Sequence, residues 1–169
     1  MIKLSTKGRY GTRLMLALAR AHKEGKKSII LKDVAEEEGI SLHYLEQIII
    51  PLKFANLVKS IRGAGGGYCL ARKPEEIKLL DILEALEGPC ALVDCVIDKN
   101  FCNRLPRCAV YEIWKEASQV LEDYFYRITL QQVLDILKKK PKVRKNPAKA
   151  LTDRNPKVRE SRFSFSWSD

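Results

Sequence analysis

Histidine is scarce in this chain of 169 residues, which has only His22 and His43. It contains no Cys-x-x-Cys pair, and none of its glycine-rich segments ends in Gly-Lys-Ser or Gly-Lys-Thr. These absences argue against a disulfide oxidoreductase, a nucleotide phosphate loop and a small metalloenzyme. We therefore expect the chain not to be an enzyme.

Long apolar runs are also absent. No stretch approaches eighteen consecutive apolar residues, so we expect no membrane-spanning helix. The first residues have no apolar core followed by a small-residue cleavage site, so we expect no signal peptide and a cytoplasmic location. In that reducing compartment, clustered cysteines indicate metal, cluster or redox chemistry more often than structural disulfides.

The net charge of +10 is concentrated near the C-terminus. Residues 138–169 carry eleven Lys or Arg and three acids, a net +8, whereas residues 1–137 carry twenty and eighteen, a net +2. Any nucleic-acid site in the body must therefore be a local basic patch. The proline-punctuated segment 138–169 is predicted to be a basic disordered tail, with non-specific phosphate attraction or no specific role.

Apolar periodicity predicts a mainly α fold with a small β-wing. Ser41 is a good N-cap for a helix, and Thr129 with Gln132 forms a capping box for the last one. Strands are expected over residues 57–62 and 68–71. The expected helices cover residues 11–24, 31–38, 42–55, 75–86, 106–128 and 130–137.

The spacing of Ala35, Gly39 and Leu45 is typical of a helix-turn-helix. A small residue permits a close helix crossing, a glycine takes the left-handed turn and a leucine anchors the second helix. An ordinary helical hairpin has the same spacing. The next hairpin is basic at Arg62 and glycine-rich at its tip, which suits a wing that reaches phosphates or the minor groove. We therefore predict a winged helix-turn-helix DNA-binding region over residues 1–88.

The longest helical pattern carries apolar residues at alternating steps of four and three, as in a coiled-coil seam. Such a seam packs on the chain's own body or pairs with a second copy, and its length favours pairing. Together with the last helix it predicts a dimerisation region over residues 106–137. The seam consists of Val110, Trp114, Ala117, Leu121, Tyr124 and Ile128.

Four of the five cysteines, Cys90, Cys95, Cys102 and Cys108, fall in one short segment. The last three are spaced C-x6-C-x5-C among polar residues that form helices poorly. Such a loop can wrap soft thiolates around a metal or cluster, so we predict a cluster-binding loop over residues 89–108. Irregular spacing without a C-x2-C pair argues against structural zinc. A metal-free thiol sensor that oxidises Cys90 and Cys95 stays open.

Taken together, these features resemble the winged-helix regulators of the IscR, NsrR and CymR type, known as the Rrf-two family. The resemblance covers about residues 3–137 and rests on four short sequence motifs, at residues 4–10, 40–47, 62–68 and 108–114. It implies a homodimer on a pseudo-palindromic operator in double-stranded DNA. It also implies transcription regulation, as a repressor, through a two-iron, two-sulfur (2Fe-2S) cluster that senses redox, nitric oxide or iron–sulfur status.

The resemblance also implies which residues contact DNA. Gln47 can read adenine, Glu46 can accept a hydrogen bond from cytosine, and Arg62 suits a minor-groove or phosphate contact. Lys7 and Arg9 are weaker phosphate candidates. The implied set at the recognition helix and wing is Ser41, His43, Tyr44, Glu46, Gln47, Arg62, Gly65 and Gly66.

Cys95, Cys102 and Cys108 match the cluster-binding cysteines of that family, although the gap between the first two is one residue longer than usual. The fourth ligand is open. Tyr111 stands where the family has a ligating histidine, and Arg9 stands near the position of an acidic ligand. Cys90 is the best local candidate, followed by Tyr111 or a residue of the partner copy. A regulator of the same fold that uses thiol or zinc chemistry is the alternative, and a thiol redox enzyme is a remote one.

Overall fold

The computed structural model describes residues 3–63 and 65–140. As the sequence predicts, these residues form a mainly helical fold with one two-stranded antiparallel sheet. None of their helices combines the length and apolar composition that a membrane span requires. In chain order the elements are α1 (Thr6–Lys23), α2 (Leu31–Glu38), α3 (Leu42–Phe54), β1 (Val58–Ile61), β2 (Gly67–Leu70), α4 (Leu79–Glu87), α5 (Asp94–Ile97), α6 (Ala109–Arg127) and α7 (Leu130–Lys139).

One hydrophobic core joins the first and last helices. Leu14 of α1, Leu45 of α3, Ile82 of α4 and Leu130 of α7 are all fully buried in it. Burial of such side chains is the main favourable term in folding. The helix that ends the described chain is therefore part of the same core as the helix-turn-helix.

The first helix begins at Thr6, so the predicted start at residue 11 is wrong. Ser5 caps the helix, because its hydroxyl oxygen accepts hydrogen bonds from the first-turn backbone. The sequence did not indicate this start because Gly8 and Gly11 lie in the first two turns, and glycine is a poor helix former. Both face α4, and a Cβ atom at Gly11 would overlap the Leu86 side chain. These glycines permit a close helix crossing rather than end a helix.

The helix-turn-helix is formed as predicted by α2 and α3. Gly39 takes the left-handed conformation at φ 64° between them. The Ser41 hydroxyl accepts a hydrogen bond from the Tyr44 N–H over 3.1 Å, which fixes the start of α3. In the following hairpin, Val58 of β1 pairs with Leu70 of β2.

The fourth helix begins at Leu79, four residues later than predicted, because the residues before it pair with a distant segment. The Leu130 N–H donates to the Ile77 carbonyl over 2.8 Å, and the Leu79 N–H donates to the Ile128 carbonyl over 2.8 Å. Backbone groups committed to this bridge are unavailable to a first helical turn. Next to this bridge, Thr129 and Gln132 form the predicted capping box at the start of α7.

The long helix is shorter than predicted. Leu105–Arg107 forms a separate 3-10 turn, and α6 follows it with 19 residues. At 1.5 Å per residue α6 extends about 28 Å. The predicted tail begins too early, because Lys138 and Lys139 complete α7. Residues 141–169 of that tail lie outside the described residues.

Candidate DNA-binding surface and cysteine loop

The N-terminal half of α3 exposes a polar group. Leu45 and Ile48 point into the core, so His43, Glu46 and Gln47 lie on the opposite, solvent side. Gln47 Nε2 lies 3.2 Å from His43 Nε2, and Glu46 Oε2 lies 3.9 Å from His43 Nδ1. The three predicted base-reading residues are therefore neighbours on one accessible surface, although their DNA contacts stay predictions.

Tyr44 differs from these three because it is half-buried. Its ring meets the Tyr10 ring edge-on, with centroids 5.9 Å apart and planes at 84°. Arg9 lies over the other ring, with its guanidinium carbon 5.8 Å from the Tyr10 centroid. Aromatic contacts of this geometry stabilise packing, so Tyr44 holds α3 against α1 in addition to any role at DNA.

The wing offers an exposed arginine near a braced tip. Among the described residues, the exposed Arg62 has no hydrogen-bond or salt-bridge partner. The Gly66 N–H donates to the Gly63 carbonyl over 2.8 Å, and the Gly65 carbonyl accepts from the Ser28 hydroxyl over 2.7 Å. The predicted contribution of Gly66 to DNA cannot use this N–H, since the turn already uses it. The Arg62 guanidinium is left available, as is the exposed Lys59 ammonium of β1.

Lys7 and Arg9 lie in the first two turns of α1. The start of this helix is fixed by Glu87, whose Oε1 atom accepts hydrogen bonds from the Ser5 hydroxyl, the Ser5 N–H and the Gly8 N–H over 2.6, 3.2 and 2.9 Å. Sequence reasoning missed Glu87. No local pattern points to it, because its partners lie about eighty residues earlier in the chain.

All five cysteines are free thiols and half-buried. The loop between α4 and α6 has mostly local backbone hydrogen bonds, such as Asp98 N–H to the Asp94 carbonyl at 2.9 Å. Cys95 and Cys102 line one shared cavity of about 440 Å³. The remaining lining residues are Ala91, Leu92, Val93, Asp94 and Phe101.

A buried serine anchors this loop to α6. The Ser118 hydroxyl accepts from the Leu92 N–H over 3.0 Å and donates to the Trp114 carbonyl over 2.7 Å. Ser118 is only 3% exposed, so its buried hydroxyl is satisfied by these two partners rather than by water. Sequence reasoning missed this residue too, since a serine within an apolar helical pattern carries no signal of its own.

Cys90 lies apart from Cys95 and Cys102. It lines a different cavity of about 300 Å³, with mostly apolar neighbours that include Leu83 and Phe125. Burial raises the pKa of the Cys90 thiol, and the negative charges of Glu122 and Glu84 raise it further. Both effects favour the neutral thiol over the thiolate that ligates metals. The role of Cys90 as fourth ligand stays a prediction, and it requires the loop to move.

The remaining predicted ligands stand at the end of the loop. Cys108 is the N-cap residue of α6, and the Tyr111 side chain is buried one turn later. Within residues 3–63 and 65–140, no three Cys, His, Asp or Glu side chains are grouped closely enough to hold a metal ion. Three thiols in a loop that has mostly local backbone hydrogen bonds are suitable ligands for a cluster. The three sulfur atoms must move closer together before they could hold one.

The apolar seam on α6 is divided between two faces, which corrects the prediction. Leu121 lines the cavity against the chain's own body, and Ile128 pairs with α4 through its backbone. Ile113 and Val120, which only flank the predicted seam, are exposed. A stripe with heptad spacing remains, exposed except at the half-buried Ala117. We call it the α6 stripe, and it consists of Val110, Ile113, Ala117, Val120 and Tyr124.

Comparison with known proteins gives one consistent result. The model of the Rrf2 family, described as an iron-dependent transcriptional regulator, matches residues 4–136. The HTH-type transcriptional regulator CymR of Bacillus subtilis is 41% identical over 132 residues, which cover 78% of this chain and 89% of CymR. The HTH-type transcriptional regulator IscR of Aliivibrio salmonicida is 36% identical over 133 residues, covering 79% and 77% of the two chains.

Solved structures agree with these sequence matches. The structure of B. subtilis CymR, described as a global cysteine regulator, has a TM-score of 0.66 at 39% identity and covers 80% of this chain and 98% of CymR. The structure of T. potens IscR has a TM-score of 0.66 at 36% identity, with 84% and 94% covered. The fold is therefore shared with regulators of both names.

Proposed function

The chain belongs to the Rrf2 family of transcription regulators, which are not enzymes, and from this premise we propose that it is a homodimeric repressor controlled by its cysteine loop. The observation that carries the proposal is the exposed polar group of His43, Glu46 and Gln47 at the start of α3. In a helix-turn-helix, the first turns of the second helix contact base edges in the major groove.

Each DNA-facing element has a separate role in this proposal. Gln47 reads adenine and Glu46 accepts from cytosine, while Arg62 on the wing enters the minor groove or binds phosphate. Lys7 and Arg9 bind phosphates, and such contacts fix the register of the protein without reading sequence. Residues 1–88 supply these groups, and α7 completes the core beneath them.

The α6 stripe is the proposed dimer contact. Its exposed apolar side chains lie on one side of a helix about 28 Å long, and a second copy would remove them from water. A two-fold dimer places two recognition helices on half-sites about 34–36 Å apart. This geometry accounts for a pseudo-palindromic operator.

Cys95, Cys102 and Cys108 are the residues proposed to hold a 2Fe-2S cluster, with Cys90, Tyr111 or a partner residue as the fourth ligand. When bound, such a cluster supplies iron–thiolate bonds that are sensitive to oxidants and nitric oxide. The loop itself links α4 to α6, so the state of its thiols biases the position of the winged helix relative to the dimer helix.

A metal-free thiol sensor is the second candidate, and the cavity shared by Cys95 and Cys102 favours this pair over the predicted pair of Cys90 and Cys95, since Cys90 lines a different cavity. In that reaction the two thiols give up two protons and two electrons to hydrogen peroxide. A disulfide and two water molecules result. The likeness to CymR, a cysteine regulator, is consistent with this chemistry.

DNA binding is tested by selecting an operator from a random pool and measuring affinity at several salt concentrations. We expect Gln47→Ala to lose about 1–3 kcal/mol on the selected operator and to relax specificity at one position in each half-site. Arg62→Ala should weaken binding, whereas Arg104→Ala, which removes an exposed arginine from the cysteine loop, should not. Failure of the wild type to enrich any sequence would refute the proposal.

The cofactor is tested by anaerobic purification of the wild type, Cys102→Ala and Cys69→Ala. Iron, sulfide and visible absorption present in the wild type and in Cys69→Ala but lost in Cys102→Ala would support the cluster. A wild type that stays colourless after anaerobic reconstitution would exclude it. A peroxide-dependent Cys95–Cys102 disulfide in that colourless protein, found by peptide mapping, would favour the thiol sensor.

A further inference from the structure

The exposed face of α3 changes character along its length. Its first half carries the polar group, and its second half carries two large apolar side chains. Ile50 is 53% exposed and Phe54 is 88% exposed, whereas Leu52 between them is fully buried. Exposure of this much apolar surface on one helix face indicates a surface that meets another molecule.

Helical spacing places the two halves on one side of α3. Gln47, Ile50 and Phe54 follow His43 at four, seven and eleven residues, and such positions share one face of a helix. The apolar pair therefore continues the proposed base-reading surface. It lies on a different element from the α6 stripe, which is the proposed surface for a second copy.

The charge around the pair favours DNA as its occupant. Lys53 is the charged residue in the last turn of α3, next to Phe54, and the one acidic residue of α3 is Glu46, one turn before Ile50, which the proposed function already places at a base. The exposed Lys53 ammonium has no hydrogen-bond or ion-pair partner among the described residues, so it is available to a phosphate. A base-facing apolar pair next to an available cation suits a DNA groove, where a base edge and a phosphate lie within reach of one helix.

Only one base presents an apolar group in the major groove, which is thymine with its 5-methyl group. Along a helix, Ile50 lies about 4.5 Å beyond Gln47, close to the rise of about 3.4 Å between neighbouring bases. We propose that Ile50 reads a thymine methyl group one or two base steps from the base that Gln47 contacts, with Phe54 extending the apolar surface. This inference rests on the proposed DNA-binding function and adds a specificity-determining residue to it.

Deoxyuridine tests the contact directly, because it differs from thymidine only by the missing methyl group. In the operator selected by the wild type, each thymine is replaced in turn by uracil in both half-sites. We expect one position at which wild-type affinity falls about sixteenfold, or about fourfold for each methyl group, as the burial of one such group predicts. Ile50→Ala should bind the thymine operator at least sixteenfold more weakly and lose nothing further on the uracil operator.

A matched control is available in Ile136→Ala, which removes a similarly exposed isoleucine, 55% exposed, from α7. This variant should keep both wild-type affinity and sensitivity to uracil. If the wild type binds every uracil operator as tightly as the thymine operator, the inference is wrong although DNA binding stands. It is also wrong if Ile50→Ala remains as sensitive to uracil as the wild type, or if this variant changes the oligomeric state. Failure to select any operator would instead refute the proposed function.

Discussion

Ser5 donates its hydroxyl hydrogen to Glu87 over 2.6 Å, and this contact joins the N-cap of α1 to the last residue of α4. The first turn of α1 has no acidic residue of its own. Glu87 therefore supplies the negative charge that stabilises a helix N-terminus. Because Cys90 follows it closely in sequence, the start of α1 and the start of the cysteine loop share one anchor.

Loss of this anchor should affect both stability and DNA binding. We expect Glu87→Ala to lower the free energy of unfolding by about 1 kcal/mol, because three hydrogen bonds at a helix cap are lost. Operator affinity should also fall, since Lys7 loses its fixed position. Denaturant unfolding and fluorescence anisotropy measure the two effects. The control Glu75→Ala removes an exposed carboxylate ahead of α4, and an equal effect in both variants would contradict the prediction.

The close crossing at Gly11 makes a second prediction. Alanine is favoured over glycine in a helix by about 1 kcal/mol. We nevertheless expect Gly11→Ala to destabilise the protein by about 1–3 kcal/mol, since its Cβ atom would overlap the Leu86 side chain. Thermal or denaturant unfolding gives the value. In a double-mutant cycle with Leu86→Ala the cost of Gly11→Ala should shrink, whereas strictly additive costs would show that the overlap is not its cause.

A charge on the α6 stripe should prevent dimerisation. We expect Val120→Glu to convert the dimer to a monomer, because pairing would bury an uncompensated carboxylate. Sedimentation velocity measures the mass, and operator affinity should fall with it. Gln119→Glu introduces the same charge at the neighbouring exposed position off the stripe and should leave the dimer intact. A dimeric Val120→Glu protein would place the dimer contact elsewhere.

The environment of Cys90 predicts slow alkylation. Burial and the charges of Glu122 and Glu84 raise the pKa of this thiol, so its thiolate fraction near neutral pH is smaller than that of an ordinary thiol. In reduced, metal-free protein, mass spectrometry after iodoacetamide pulses should show its rate rising only at higher pH. The stability contributed by the neutral thiol is present below the ordinary thiol pKa and is lost as pH rises through the raised value.

Glu122→Gln should move that alkylation profile towards lower pH, because it removes the second cause of the raised pKa. Burial, the larger cause, remains, so the profile should stay above that of a free thiol. The control Glu116→Gln neutralises an exposed carboxylate on the same helix and should leave the profile unchanged. An unshifted profile in Glu122→Gln would assign the raised pKa to burial and Glu84 without a contribution from Glu122.

Local sequence signals predicted much of this fold. Ser41 and Thr129 mark the starts of α3 and α7, because each side chain caps a helix within four residues of its own position. The spacing of Ala35, Gly39 and Leu45 and the glycine-rich hairpin predicted the winged helix, and the family resemblance supplied the role of transcription regulator.

The starts of α1 and α4 were predicted wrongly, because they depend on contacts between residues far apart in sequence. Gly11 packs against the Leu86 side chain, and the Ile77 carbonyl accepts a hydrogen bond from the Leu130 N–H.

The candidate sites divide in the same way. The exposure of Gln47 follows from the 3.6-residue helical period and could be predicted. The separation of Cys90 from Cys95 and Cys102 could not, because it depends on which side of the loop meets α6. For the same reason, Leu121 could be assigned to its proper face only once the packing of α4 against α6 was known.

The segment made of the cysteine loop and α6 is fixed to the winged helix at both of its ends. Glu87 holds the departing end on the first turn of α1, and the backbone bonds of Ile128 and Leu130 hold the returning end beside the start of α4. The cysteine loop and α6 are therefore attached to the winged helix at two points. A tilt of α6 would push at one attachment and pull at the other, so it would rotate the winged helix rather than simply shift it.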